Sequence, residues 1–141
     1  MDRVFLDANV LFAAAWRPDA ALRRLWGLEE IELLSSGYAA DEARRNLEEP
    51  AQRGRLTRLL RRVRLVEAEH FTLPRGVRLP EKDVPVLLAA IDGGATHLLT
   101  GDREHFGAYY GQRVAGVLIL PPAEYPPLGP SPGTETSPAG A

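Results

Sequence analysis

The sequence Arg3-Val4-Phe5-Leu6-Asp7-Ala8-Asn9 begins with a short apolar run and ends with an acid and an amide. A continuous run of β-branched, aromatic and aliphatic residues of this length is typical of a buried strand. Residues 97–100, with the sequence His-Leu-Leu-Thr, are predicted to form a second strand, which Gly101 and Asp102 follow directly. Each of these two predicted strands therefore leads into a carboxylate.

Around these two segments, short apolar strands alternate with helices. Further strands are predicted at 31–34, 64–66 and 117–120, and helices at 10–15, 20–26, 38–47, 51–62 and 83–91. This alternation predicts an α/β fold in three layers, with helices on both faces of a parallel sheet. Ligands of such sheets bind at the carboxyl ends of the strands, beside a change in strand order.

The composition restricts the chemistry that a site in this chain can use. There are no cysteines among the 141 residues, which excludes a disulfide scaffold, a thiol nucleophile and a zinc site built on thiolates. The three histidines do not have the spacing of a helical metal motif. We therefore expect oxygen atoms to be the main ligands of any metal.

Proline and glycine divide the chain into a body and a tail. Residues 121–141 contain seven prolines and three glycines, a composition typical of flexible segments. A body of residues 1–120 has the size of one domain and can bury its own core. We therefore predict a single domain at 1–120 and a flexible tail at 121–141.

The formal net charge of −2 conceals an uneven distribution of charge. Residues 44–64 contain eight arginines and only two acids, so this segment is strongly basic and the rest of the chain is acidic. A basic segment of this kind is either a solvated helix face or a patch that binds phosphates. The two interpretations stay open at this point.

No segment of the sequence indicates a membrane or a secretory route. There is no apolar run long enough to span a bilayer, and the first residues lack the pattern of a signal peptide. We expect a cytoplasmic protein without membrane contact.

Four acids from separate segments can converge at one edge of the predicted sheet. Asp7 and Asp102 follow strands, Asp83 begins the helix before the strand at 97–100, and Glu42, with Asp41 beside it, lies in the helix after the second strand. Each has an ordinary alternative role, since Asp83 can cap a helix and Glu42 can be a solvated surface residue. Together they would repel one another unless a cation lay among them, and hard divalent cations prefer oxygen ligands.

These segments resemble the PIN-domain ribonucleases, as found in the VapC-type toxins of bacterial toxin–antitoxin systems. The resemblance covers about residues 1–120 and rests on the stretches 4–11, 42–47, 83–90 and 98–106. It implies a five-stranded parallel sheet between helices. It also implies that the carboxylates of Asp7, Glu42, Asp83 and Asp102 bind Mg²⁺ or Mn²⁺, with Asn9 and Thr100 as polar neighbours. Pro85 indicates a D-x-P variant of the helix start.

The resemblance implies a metal-dependent endoribonuclease, with RNA as substrate and an antitoxin or a second copy of the chain as protein partner. Arginines of the basic segment would then guide the RNA backbone towards the acids, namely Arg44, Arg45, Arg55, Arg58 and Arg62. Two alternatives remain. One is phosphoryl transfer through an aspartyl-phosphate at Asp7, and the other is a non-catalytic module of this fold that binds RNA or protein.

Overall fold

The computed structural model, which describes residues 1–129, alternates strands with helices along the chain. The strands are β1 (Asp2–Leu6), β2 (Ile31–Ser35), β3 (Arg64–Leu65), β4 (His97–Leu99), β5 (Arg113–Val114) and β6 (Val117–Leu120). The α-helices are α1 (Ala8–Ala15), α2 (Gly37–Asn46), α3 (Pro50–Leu60), α4 (Val84–Asp92) and α5 (Arg103–Phe106). Short 3-10 helices lie at Ala21–Gly27, Glu81–Asp83, Gly107–Tyr109, Pro122–Glu124 and Pro126–Leu128. Within the described residues, no helix is long and apolar enough to cross a membrane.

The strands form one sheet in the order β3-β2-β1-β4-β6-β5. Neighbours pair in parallel except at the edge, where β5 pairs antiparallel with β6. The predicted α/β class is confirmed, but the sheet has six strands rather than five. The sequence did not indicate β5 because its turn to β6 is Ala115-Gly116, in which both residues have positive φ (50° and 88°). Alanine is uncommon in that conformation, so the turn has no typical hairpin signature.

The strand order changes direction at β1, and this change positions the candidate site. The chain places β2 and β3 on one side of β1 and then crosses to the other side for β4. In this pairing Leu6 lies opposite Leu99, so Asp7 and Thr100 leave the sheet side by side. The carboxyl ends of β1 and β4 therefore flank the position where ligands of such sheets bind.

The sheet has a hydrophobic core on each face. Val4 and Leu6 point to one face, where they belong to a cluster with buried residues of α1, α2 and α3. Phe5 points to the other face, into a cluster with buried residues of α4. Successive side chains of a strand alternate between faces, so β1 contributes to both cores. The predicted three layers are thus present, with β1 at the centre.

The segment at 20–26 differs in detail from the predicted helix. It is a 3-10 helix, Ala21–Gly27, and its N-cap residue is Ala20, which makes no side-chain capping bond. Asp19, which precedes Ala20, pairs with Arg17 at 3.3 Å on the exposed surface. An exposed ion pair of this kind contributes little stability.

The first residues of the predicted tail pack onto the body. Tyr125 and Leu128 are buried in the same core cluster as Val4 and Leu6. The hydroxyl of Tyr125 donates to Asp2 Oδ2 at 2.6 Å, which ties this segment to the start of β1. The packed chain therefore continues beyond residue 120, because two large side chains among the prolines reach the core. The expectation for residues 130–141 lies outside the described residues.

Candidate active site

Asp7 lies at the end of β1 and caps the first turn of α1. Its Oδ1 accepts a hydrogen bond from the backbone N–H of Ala8 at 2.7 Å. Its Oδ2 accepts from the hydroxyl of Thr100 at 2.8 Å and from Asn9 Nδ2 at 3.2 Å. The side chain is buried, with 5% of its residue surface exposed. Asp7 is therefore a buried carboxylate that its neighbours hold in one orientation.

Asn9 and Thr100 connect the ends of β1 and β4. Asn9 Oδ1 accepts from the backbone N–H of Gly101 at 2.7 Å, while its Nδ2 donates to Thr100 Oγ1 at 3.3 Å. Thr100 Oγ1 also accepts from the backbone N–H of Asp102 at 3.1 Å. A Cβ at position 101 would lie 3.3 Å from Asn9 Oδ1, so glycine permits this close approach. The sequence placed both residues beside the acids, and the structure does so too.

Three further side chains meet beside this pair of strand ends. Asp83 precedes α4, Asp102 is the N-cap residue of α5, and His105 lies in α5. His105 Nδ1 is 2.8 Å from Asp83 Oδ2 and also 2.8 Å from Asp102 Oδ2. Asp83, Asp102 and His105 each offer one ligand atom, and these atoms all lie within 4.8 Å of one another. We call this group the DDH cluster.

Two atoms of the DDH cluster are buried without a hydrogen-bond partner. They are Asp83 Oδ2 and His105 Nδ1, whose short contact lacks the angles of a hydrogen bond. Buried polar atoms are almost always paired, so two adjacent exceptions require an explanation. Carboxylate oxygens and an imidazole nitrogen are ligands of divalent cations, and such a cation would satisfy both atoms at once. The donor set therefore fits a metal ion.

The electrostatics of the site agree with that fit. Burial raises the pKa of Asp7 to about 6, and the charges of Asp83 and Glu42 add to the rise, against the hydrogen bonds from Thr100 and Ala8. Burial also raises the pKa of Asp83, a rise that Asp102 and Glu42 increase and His105 opposes. Carboxylates packed this closely disfavour their own ionisation, and a cation among them would reverse that effect.

The structure brings the four predicted acids to one region but does not make them equivalent. Asp83 and Asp102 belong to the DDH cluster, whereas Asp7 and Glu42 lie outside it. Glu42 is half-buried in α2, while its neighbour Asp41 is exposed. The charge of Glu42 raises the pKa of both Asp7 and Asp83, so Glu42 lies near the site.

Comparison with known proteins agrees with this arrangement. The family model described as the PIN domain matches residues 3–104, which is most of the chain. The chain belongs to the PIN-domain family. No curated protein matches it in sequence.

Two solved structures are similar to this PIN domain, and the first of them has the same fold. VapBC2 from Rickettsia felis, bound to a DNA fragment from its promoter, has a TM-score of 0.57 and 16% identity, over 84% of this chain and 98% of that chain. VapC20 from Mycobacterium tuberculosis, a toxin that cleaves the sarcin–ricin loop, has a TM-score of 0.49 and 20% identity, over 72% and 92%.

The arginines predicted to contact RNA are not all near the acids of this PIN domain. Arg55 donates from Nε to Ala15 O at 3.0 Å and from Nη2 to Trp16 O at 2.9 Å, so it caps the carboxyl end of α1. Arg62 lines a cavity with Met1 and Ile31, at the amino-terminal edge of the sheet and thus opposite the carboxylates. Arg55 lies within α3 and Arg62 lies after its end, so the basic segment does not form one patch beside the acids.

The remaining predicted arginines, Arg44, Arg45 and Arg58, differ in their exposure. Arg44 donates to Thr57 Oγ1 at 3.1 Å, and Arg45 and Arg58 are exposed. Arg45 is close enough to Tyr38 to lower the pKa of its phenol, against the larger effects of burial, Glu42 and Asp83. Of the five predicted arginines, Arg45 is thus the one that the charges link to the acidic site.

Sequence reasoning missed three residues of this site. His105 follows Asp102 by three residues, a helical spacing that would have placed both side chains on one face of α5. Tyr38 is 39% exposed and its hydroxyl donates to Lys82 O at 2.8 Å, which connects α2 to the segment before Asp83. Lys82 is the only lysine of the chain, and its charge also lowers the pKa of Tyr38. No motif marks Tyr38 or Lys82, since their proximity depends on the packing of distant segments.

Proposed function

We propose that this PIN domain is a divalent-metal-dependent ribonuclease that hydrolyses phosphodiester bonds of RNA. The observation that carries the proposal is the DDH cluster, in which two buried ligand atoms lack partners beside the buried carboxylate of Asp7. The cluster lies at the change in strand order, where sheets of this type bind their ligands.

Asp83 and Asp102 would bind Mg²⁺ or Mn²⁺ directly. The carboxylates of Asp7 and Glu42 would lie close to the ion and add negative charge to the site. A bound divalent cation supplies charge neutralisation for a phosphodiester and lowers the pKa of a water molecule. Thr100 and Asn9 fix the orientation of Asp7 through their hydrogen bonds. Residues that orient a metal-binding carboxylate commonly affect metal affinity as strongly as some ligands do.

The proposed reaction is an in-line displacement at phosphorus. The oxygen of a water molecule forms a bond to phosphorus while the bond from phosphorus to the leaving ribose oxygen breaks. Glu42 orients this water and takes its proton, and solvent returns a proton to the leaving oxygen. The half-buried position of Glu42 beside Asp7 and Asp83 supports this role.

The rim of the site supports a nucleic acid as the substrate. An acidic centre repels a phosphate backbone, so cations must lie close by. Arg45 and Lys82 supply two positive charges that act on the phenol of Tyr38, as the charges of Glu42 and Asp83 also do, and the ring of Tyr38 is exposed. Aromatic rings of this kind stack on unpaired bases. We therefore expect a single-stranded region of RNA at this rim.

We further propose that the protein is the toxin of a toxin–antitoxin pair, with an antitoxin as its partner, and that it forms a homodimer. The common fold with VapBC2 from Rickettsia felis supports this class of partner. Induced expression in a bacterial host should stop growth for the wild type and not for Asp7→Asn. Equal growth of both strains at equal protein levels would contradict the toxin proposal and leave the nuclease proposal standing.

The nuclease proposal is tested with labelled single-stranded RNA and with DNA of the same sequence. Wild-type protein should cleave the RNA with Mn²⁺ or Mg²⁺, and EDTA should stop cleavage. Asp7→Asn and Glu42→Gln should be inactive, whereas Asp41→Asn, a matched control next to Glu42, should keep its activity. Equal cleavage by wild type and Asp7→Asn would reject the site, and cleavage of DNA alone would reject RNA as the substrate.

The two alternatives make different predictions. Both oxygens of Asp7 already accept hydrogen bonds and the residue is buried, which disfavours it as a nucleophile towards a phosphate donor. Formation of a beryllofluoride adduct at Asp7 would favour the phosphotransferase. Binding of RNA without cleavage by any divalent metal would favour the non-catalytic module.

A further inference from the structure

We propose that His105 is a nitrogen ligand of the metal ion, and that this nitrogen gives the site a preference for first-row transition ions over Mg²⁺. The inference rests on the proposed function, since it concerns the same metal centre. It adds a residue and a metal class that the four-acid arrangement does not contain. Its basis is the position of His105 Nδ1 between two carboxylate oxygens.

The local structure of α5 holds the imidazole at this position. Asp102 Oδ1 accepts the backbone N–H of His105 at 3.1 Å and so caps the helix. This bond commits Oδ1, while Asp102 Oδ2 faces His105 Nδ1 at 2.8 Å. The cap therefore sets the orientation of the Asp102 side chain and holds the backbone of His105 beside it. One oxygen and one nitrogen remain directed at Asp83.

The partnerless atoms distinguish a ligand from an ordinary buried histidine. Among residues 1–129, Asp83 Oδ2 and His105 Nδ1 are the buried side-chain atoms that have no hydrogen-bond partner. Asp83 is itself 93% buried, as only 7% of its surface is exposed. A structural histidine in this position would form a hydrogen bond to a carboxylate, but the angles here do not allow it. A cation between the three side chains would contact both atoms.

The other two histidines have structural contacts that account for them. His70 Nδ1 lies 2.8 Å from Asp92 Oδ1 on the exposed surface. His97 Nδ1 lies 2.8 Å from Thr96 Oγ1, and its ring packs edge-on against Tyr125. His70 therefore serves as a matched control for His105, because it also contacts an aspartate but lies away from the cluster.

The imidazole determines which ions the site prefers. Mg²⁺ favours oxygen ligands and keeps several waters, so a nitrogen donor adds little to its affinity. Affinity for nitrogen-containing sites rises from Mn²⁺ through Co²⁺ to Ni²⁺. Removal of the imidazole should therefore weaken binding most for the later ions of this series. Loss of a carboxylate should weaken the binding of every ion, including Mg²⁺.

The test measures metal binding and nitrogen coordination directly, without an activity assay. Electron spin echo spectra of the full-length protein with Mn²⁺ should show coupling to ¹⁴N in the wild type and in His70→Gln. The coupling should disappear in His105→Gln. The affinity for Co²⁺ should fall by about tenfold or more in His105→Gln, and the affinity for Mg²⁺ should change little.

A second measurement uses the wild type alone and does not depend on the folding of a variant. Uniform ¹⁵N labelling should replace the ¹⁴N pattern of bound Mn²⁺ by that of ¹⁵N. Bound Mn²⁺ without nitrogen coupling would overturn the His105 assignment, while RNA cleavage that requires a metal would still support the proposed function. A wild-type protein that binds no Mn²⁺ would overturn this inference and the metal part of the proposed function together.

Discussion

At the scale of the residue, the site is defined by carboxylates whose burial lowers the stability of the fold. Asp7 is buried between other acids, and its hydrogen bonds only partly offset the loss of hydration. Residues of an active site often lower the stability of the fold in this way.

Asp7→Asn should stabilise the metal-free protein at high pH. The folded-state pKa of Asp7, about 6, lies above its ordinary value of 3.8, so the folded protein binds this proton more tightly than the unfolded chain. The stability that protonation gives is complete below pH 4 and is lost as the pH rises through 6. The neutral side chain of Asn avoids that loss, so the free energy of unfolding at pH 8 should rise by at most about 3 kcal/mol. Melting curves of both proteins in EDTA at pH 4 and pH 8 measure this difference.

The exposed Asp41 provides the control for this comparison. Asp41→Asn should change the melting temperature by a similar small amount at both pH values. If Asp7→Asn melts below the wild type at pH 8, the burial of an unfavourable charge is not the main feature of this position.

Thr100 makes a second prediction at this scale. Its buried hydroxyl donates to Asp7 and accepts from the N–H of Asp102. Thr100→Val keeps the shape but leaves the N–H of Asp102 without this acceptor and leaves Asp7 Oδ2 with the bond from Asn9 alone. This loss should destabilise the fold by about 1–3 kcal/mol. Urea unfolding measures the change. Thr100→Ser, which keeps the hydroxyl, should retain most of the stability, and an equal loss in both variants would show that the methyl group matters more.

The sequence was sufficient to predict that the polar residues at the strand ends lie close together. It was not sufficient to predict that His105, in the following helix α5, lies beside them. Asp7, Asn9, Thr100 and Asp102 follow apolar runs, and parallel strands bring such positions together. His105 could not be assigned in the same way, because its role depends on the direction of α5 relative to Asp83. That direction follows from a capping bond and not from a pattern of residue types.

At the scale of the element, the arginines of α2 and α3 have different tasks. Arg55, on α3, binds two carbonyls at the end of α1. Arg45, on α2, is exposed and close enough to Tyr38 to lower the pKa of its phenol. Hydrogen bonds from a charged group contribute more than neutral ones, so Arg55 helps to hold α1 against α3. A basic segment in a sequence therefore contains both structural and binding residues.

Replacement of Arg55 and of Arg45 should separate these two roles. Arg55→Ala should lower the free energy of unfolding by about 1–2 kcal/mol and leave the affinity for RNA unchanged. Arg45→Ala should leave stability unchanged and weaken RNA binding. It should also reduce the slope of log affinity against log salt concentration by about 1. Fluorescence anisotropy in the Asp7→Asn background and urea unfolding give the two readouts. The reverse pattern would mean that Arg55 faces the RNA.

The elements themselves were predictable where the apolar runs were long or continuous. Helix α4 has Pro85 in its first turn, where proline is tolerated. Its run of apolar residues indicated where the helix extends. The two-residue strand β5 and the four-residue helix α5 were not predicted. Such short elements depend on contacts with their neighbours, which the local sequence does not specify.

At the scale of the whole molecule, β1 joins the two cores to the site, and the segment after β6 completes one of those cores. Tyr125 is 1% exposed and Leu128 is 5% exposed, although both lie in a segment rich in proline. Composition alone suggested that the body ended before them. Composition averages over residues, and two anchoring side chains are enough to fix a short segment to a core.

Tyr125→Ala should therefore destabilise the whole fold by about 3–5 kcal/mol, the range for loss of a large buried ring. Tyr125→Phe removes only the hydrogen bond to Asp2, which is half-buried, and should lose far less. Thermal or urea unfolding of both variants measures the difference. Wild-type stability of Tyr125→Ala would mean that this segment does not belong to the body.

The central claim is that the DDH cluster holds a divalent cation with which the protein cleaves RNA. The most direct measurement is the rate of cleavage of single-stranded RNA by the wild type, Asp83→Asn and Asp41→Asn, across a titration of Mn²⁺. We expect the cleavage rate to rise with Mn²⁺ for the wild type and for Asp41→Asn. The cleavage rate of Asp83→Asn should be at least about 100-fold lower. Cleavage by Asp83→Asn at the wild-type rate, or cleavage that persists in EDTA, would contradict the central claim.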